Sequence, residues 1–111
     1  MLSRIESVDQ RLNSYATICA DRAIKEARQA EREILAGKYR GKLHGVPLSV
    51  KDLCYTRGIR TMGGLKVRKN FIPTFDSTVV KKLGLAGAVL LGKSGLTEGA
   101  CLLYTSDAAD E

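Results

Sequence analysis

Apolar residues recur along this chain with two periods, and the alternation between them predicts the order of its elements. Ile5, Val8 and Leu12 stand at helical spacing behind Ser3-Arg4-Ile5-Glu6, a stretch that fits a capping box. A first helix is predicted over Ser3 to Arg11. Asn13-Ser14 reads as a turn, and Tyr15 to Cys19 as a short extended piece. Ala20, Ile24, Ala27, Ala30 and Ile34 then fall at steps of four, three, three and four, which makes one apolar stripe. That second helix is expected to take Asp21 as its cap, to run to about Ala36 and to stop at Gly37.

After the polar loop Lys38 to Lys42, the period changes. Leu43 to Val50 is a buried-strand pattern, with Pro47 inside it marking an edge or irregular position. The stretch "LCYTRGIRTMGG" has no helical stripe, and its glycines mark turns. Asp76 or Ser77 can cap a third helix carrying Val79, Val80, Leu83 and Ala86 and ended by Gly87. Ala88 to Lys93, "AVLLGK", is a short apolar run of strand type. Strand, loops, helix, strand is the order of a βαβ crossover. The expected fold class is α/β, with helices packed on part of a mixed, largely parallel sheet.

Composition narrows the class only slightly. The chain has 111 residues, enough for one modest core. It has no apolar run near bilayer length and no charged-then-apolar leader, so a cytosolic, membrane-free protein is expected. Three widely spaced cysteines, Cys19, Cys54 and Cys101, fit reduced thiols rather than a disulfide framework or a metal knuckle. No cofactor or metal is expected. The net charge of +6 raises the possibility of a small basic nucleic-acid-binding domain. The bases of the second helix alternate with Glu26, Glu31 and Glu33, however, and there is no aromatic-basic stacking cluster. No direct nucleic-acid contact is expected.

The string "CLLYTSDAADE", Cys101 to Glu111, differs in style, with no basic residue and no periodicity. It resembles a reading-frame translation of a transposon-end sequencing adapter. Residues 101–111 are therefore expected to be a non-native, unpacked tail, with 1–100 as the natural part and the gene continuing past Ala100. The tail holds three of the 12 acids, Asp107, Asp110 and Glu111, and none of the 18 bases, so the natural part is more basic than the whole.

One residue carries candidate chemistry. The apolar run Val46-Pro47-Leu48-Ser49-Val50 drives straight into Lys51. On spacing alone Lys51 is a strand-end residue whose ammonium reaches water along its stem. Burial would change that reading, because desolvation disfavours the charged form of an amine and a neutral amine serves as a general base.

The surrounding residues are specific. "GKLHGVPLSVKD" is followed in order by "GIRTMGG" and "FDSTVVKKLGLAGAVLLGKSGLTEGA". From about Leu12 to Ala100 the sequence resembles the amidase signature family of serine hydrolases. The resemblance implies that this is an N-terminal fragment of the amidase signature fold. It also implies a triad of a serine nucleophile, a second serine in a cis peptide bond, and a lysine that maps onto Lys51. Neutral Lys51 would take a proton from the bridging serine, and that serine one from the nucleophile. Attack on an amide carbonyl would give an acyl-enzyme, release ammonia or an amine, and leave the acid to be freed by water.

The sequence departs from the family where the serines belong. No Gly/Ser-rich loop follows Gly92-Lys93, so this chain is expected to be inactive alone. Ser49, Ser94 and Thr97 match no nucleophile position. Ser94-Gly95 stands where many members have Thr-Asn, and Gly99 where many have Phe. His44, the only histidine, has no metal-spaced partner and reads as structural. The family leaves two readings of the whole enzyme. One is an amidase acting on small carboxamides, possible as a homodimer. The other is the glutaminase component, the A subunit, of a tRNA-dependent amidotransferase with partner subunits.

Overall fold

A computed structural model describes residues 1–100, so the reading of 101–111 as a tail lies outside the described residues. The chain runs α1 (Leu2–Leu12), β1 (Tyr15–Ile18), α2 (Ala20–Leu35), β2 (Pro47–Lys51), α3 (Thr78–Leu85) and β3 (Val89–Ser94). Single 3-10 turns occupy Lys66–Arg68 and Glu98–Ala100. The sheet order is β1-β3-β2. β2 and β3 are parallel and joined through α3, which is the expected crossover, while β1 lies antiparallel on the other side of β3. The sheet is therefore mixed, with one parallel and one antiparallel pairing.

β3 is central and almost entirely buried, and its alternation splits the core in two. Val89 and Leu91 join Ile5 of α1 and Ala23 of α2 on one face. Leu90 joins Val50 of β2 and Val80 of α3 on the other. This is why "AVLLGK" is apolar without alternation: both faces of its strand are covered.

Five local expectations shift. α1 begins at Leu2 behind Met1, with no side-chain cap, so Ser3 lies inside the helix and forms no capping box. α2 starts behind Cys19, which leaves Asp21 in its first turn rather than at the cap. Its buried face runs through Ala23 and Ala30, while Ile24 and Ile34 of the anticipated stripe are exposed. Ala23 packs on Val89 and Leu91 of β3, and half-buried Glu26 accepts a hydrogen bond from Leu90 N at 2.9 Å. Asp76 does not cap α3 either. Its carboxylate accepts from Arg57 N at 2.7 Å, while Ser77 takes the N-cap position without a capping bond. β2 starts only at Pro47, because turns fill the residues before it and proline begins an edge strand without losing a donor it needs.

Candidate active site

β2 and β3 run parallel, so their carboxyl ends lie side by side, the position at which open α/β sheets bind ligands. Lys51 is the last residue of β2 and pairs with Ser94, the last of β3. Its side chain is not buried. Nζ donates to Gly95 O at 3.0 Å and opens on a cavity of about 630 Å³, lined also by Asn13, Ser14, Leu53, Leu96, Thr97 and Ala100. Ser14 and Thr97 bring hydroxyls to that cavity, but among the described residues neither is hydrogen-bonded to Lys51 Nζ.

The buried lysine is Lys93, one residue before the end of β3, and it is fully enclosed. Its Nζ donates to Cys54 O at 2.6 Å and to Thr61 Oγ1 at 2.9 Å, and lies 3.8 Å from Asp52 Oδ1. Desolvation pushes the Lys93 pKa down from its ordinary value, and the nearby Asp52 opposes that shift. Asp52 is itself only 1% exposed. Its backbone N–H donates to Ser94 O at 2.9 Å, its carbonyl accepts from Gly63 N at 3.1 Å, and Oδ2 accepts from Met62 N at 2.9 Å. Cys54 N donates to Lys51 O at 2.9 Å, closing the turn that leaves β2.

Sequence reasoning placed Lys51 at the strand end but assigned no role to Lys93, Asp52 or Thr61. The available signal was a second lysine at the end of an apolar strand, "LLGK", which pairs with Val50, the neighbour of Lys51. The glycines of "TMGG" also have a definite task. Gly64 is at φ +74, and a Cβ there would stand 2.6 Å from Thr97 O. Gly63 O accepts from Gly99 N at 3.1 Å. This loop therefore abuts the Thr97–Gly99 segment beside the cavity.

His44 sits before the start of β2, at the opposite end of that strand from Lys51. Buried, it accepts from Arg40 N through Nδ1 at 3.1 Å, and its Nε2 lies 3.1 Å from Glu33 Oε2. Ser49 pairs with Gly92 within the sheet. Among the described residues no group of three or more His, Cys, Asp or Glu could hold a metal ion. No described helix is long and apolar enough to cross a membrane.

The family model Amidase matches residues 1–109. The chain belongs to the amidase family. It is 48% identical over 103 residues to a Mycobacterium tuberculosis (strain ATCC 25618 / H37Rv) protein provisionally named amidase AmiD, covering 93% of this chain and 22% of that protein. It is 50% identical over 93 residues to the A-type subunit of the glutamyl-tRNA(Gln) amidotransferase of Geobacter sulfurreducens, covering 84% and 19%. Among solved structures, the native peptide amidase of Stenotrophomonas maltophilia superposes with a TM-score of 0.81 at 39% identity, over 87% of this chain and 20% of that one. The chain thus spans about a fifth of the length of the relatives it matches, and is a fragment of the amidase fold.

Proposed function

We propose that this amidase-family segment supplies the lysine of a Ser-cisSer-Lys machinery that hydrolyses carboxamides. The observation that carries the reading is the position of Lys51. It stands at the carboxyl end of β2 beside β3, with Nζ free of any carboxylate among the described residues and directed at a cavity. Both serines belong to the full-length enzyme, outside the described residues. There Lys51 accepts the bridging serine's proton, and the nucleophile's proton moves to that serine as its oxygen bonds to the carbonyl carbon. The amine leaves with a returned proton, and water releases the acid. The remainder of the enzyme supplies the enclosure that Lys51 lacks here. The substrate is a small-molecule amide, the setting is cytoplasmic, and the enzyme can pair as a homodimer.

Two substitutions in the full-length enzyme test this. Lys51→Ala lowers kcat by about 10²–10⁴, the usual worth of a positioned acid–base group. Lys51→Arg keeps a cation that cannot deprotonate and falls nearly as far. Near-normal turnover by the arginine variant would leave Lys51 as a strand-end residue only.

A second reading is favoured by the 50% identity to a glutamyl-tRNA(Gln) amidotransferase component. In it the same chemistry releases ammonia from glutamine for use by partner subunits. Co-purification of the full-length protein with such subunits, and glutaminase activity that depends on them, selects this reading. Hydrolysis of simple carboxamides by the protein alone selects the first. The adapter-like segment from Cys101 is proposed as non-native. Genomic DNA that departs from "CLLYTSDAADE" after the Ala100 codon, and runs into a Gly/Ser-rich stretch, bears this out.

A further inference from the structure

The group formed by Lys93, Asp52, Thr61 and the Cys54 carbonyl adjoins the strand end that carries Lys51 and lies wholly among the described residues. We propose that Lys93 is a positioning residue for the amidase reaction: its enclosed ammonium ties the turn after β2 to β3, and so fixes the stem from which Lys51 reaches the reacting serines. The inference rests on the catalytic reading of Lys51.

Lys93 holds the turn by a hydrogen bond to the Cys54 carbonyl and by a longer charge contact, 3.8 Å, to Asp52 Oδ1, which accepts no hydrogen bond among the described residues. Cys54 is in turn bonded to the carbonyl of Lys51, and Asp52 follows Lys51 directly in the chain. Asp52 is also held by Ser94, Gly63 and Met62, so every backbone polar group of the residue is engaged. Lys51 therefore hangs from a fixed point, and among the described residues its Nζ hydrogen-bonds only to the Gly95 carbonyl, two residues beyond Lys93.

Fold stability alone does not call for this arrangement. A buried ion pair is commonly replaced by apolar side chains without loss, whereas removing one partner leaves a stranded charge. What an apolar pair cannot reproduce is a directed bond to the Cys54 carbonyl. Asp52, Cys54 and Cys19 are the titratable groups acting on Lys93, and among the described residues no second titratable side chain lines the cavity at Lys51.

The consequence is a pH signature. Removing the Lys93 charge leaves the Asp52 carboxylate, one residue along the chain from Lys51, without its cation. That negative charge favours the protonated amine, so the acid limb of the kcat profile moves to higher pH.

The test is steady-state kinetics of the full-length enzyme, per folded molecule, across pH, with Lys51→Ala as reference. Lys93→Met is expected to lower kcat at least tenfold, to leave KM within about threefold, and to move the acid limb upward. Adding Asp52→Asn removes the stranded charge. The double variant is expected to return the limb to its original pH while kcat stays at least tenfold down, because the Cys54 carbonyl is still released. If Lys93→Met does not fold, the double variant decides. A wild-type kcat and profile in whichever variant folds overturns the proposal and leaves Lys93 as a packing residue. Activity surviving in Lys51→Ala instead overturns the catalytic reading on which it rests.

Discussion

The end of β2 away from the candidate site is held by charges and by a glycine. Glu33 accepts from Arg40 through both carboxylate oxygens, at 2.7 and 2.5 Å, and from Gln29 at 2.9 Å. These bonds hold its carboxyl at about 2, well below the ordinary 4.5. A depressed carboxyl stabilises the fold above its unfolded value and loses that contribution as pH falls. Stability is therefore expected to decline as pH falls from 4.5 to about 2, and Glu33→Gln to flatten that part of the profile in acid-unfolding curves. Beside this cluster, Gly87 is at φ +80, and a Cβ there would collide with the His44 ring. Gly87→Ala combines left-handed strain with overpacking, and is expected to destabilise by about 2–4 kcal/mol in denaturant melts of the full-length protein.

At the scale of elements, β3 decides how the sheet assembles. Gly92 faces Ile18 across one ladder and Ser49 across the other, and both ladders carry a register shift. A Cβ at Gly92 would meet Thr17 O and the Tyr15 ring. Gly92→Ala is thus expected to release β1 while β2 and β3 stay paired through α3. Amide exchange at Cys19, which donates to Leu91 O, reads this as at least a roughly tenfold loss of protection, with little change at Val89. Leu91, 5% exposed against Ile5 and Ala23, tests the core itself. Leu91→Ala is expected to cost about 2–5 kcal/mol, as large-to-small changes in packed cores do.

At the scale of the whole molecule, the described residues leave much apolar surface open. Leu35 is 82% exposed and Val67 88%, and Phe75 and Ile72 are more than half exposed. β1 and β2 each pair on one side only among the described residues. Such surfaces mark contacts with further protein. The isolated chain is expected to bind a hydrophobic dye and to self-associate in size-exclusion chromatography. It is also expected to turn over no carboxamide above its Lys51→Ala variant. A monomeric, cooperative transition worth more than about 5 kcal/mol, the usual lower bound for a native domain, would show the segment to be self-sufficient.

The order of elements, the βαβ crossover and the family were legible along the chain, because period, glycine stops and separated motif blocks are local patterns. The same patterns put Lys51 at a strand end. Which lysine is buried, by contrast, is set by contacts between distant residues. Burial depends on what packs over a strand end, and loop residues Cys54 and Thr61, with Asp52 at the turn, close over Lys93 rather than Lys51. The structure also decided the buried face of α2. Of the periodic stripe Ala30 is buried but Ile24 and Ile34 are exposed, while Ala23, outside the stripe, is the α2 residue that packs on Val89 and Leu91 of β3. The antiparallel seat of β1 beside Gly92 follows likewise from a contact between residues more than 70 positions apart, which no local pattern encodes.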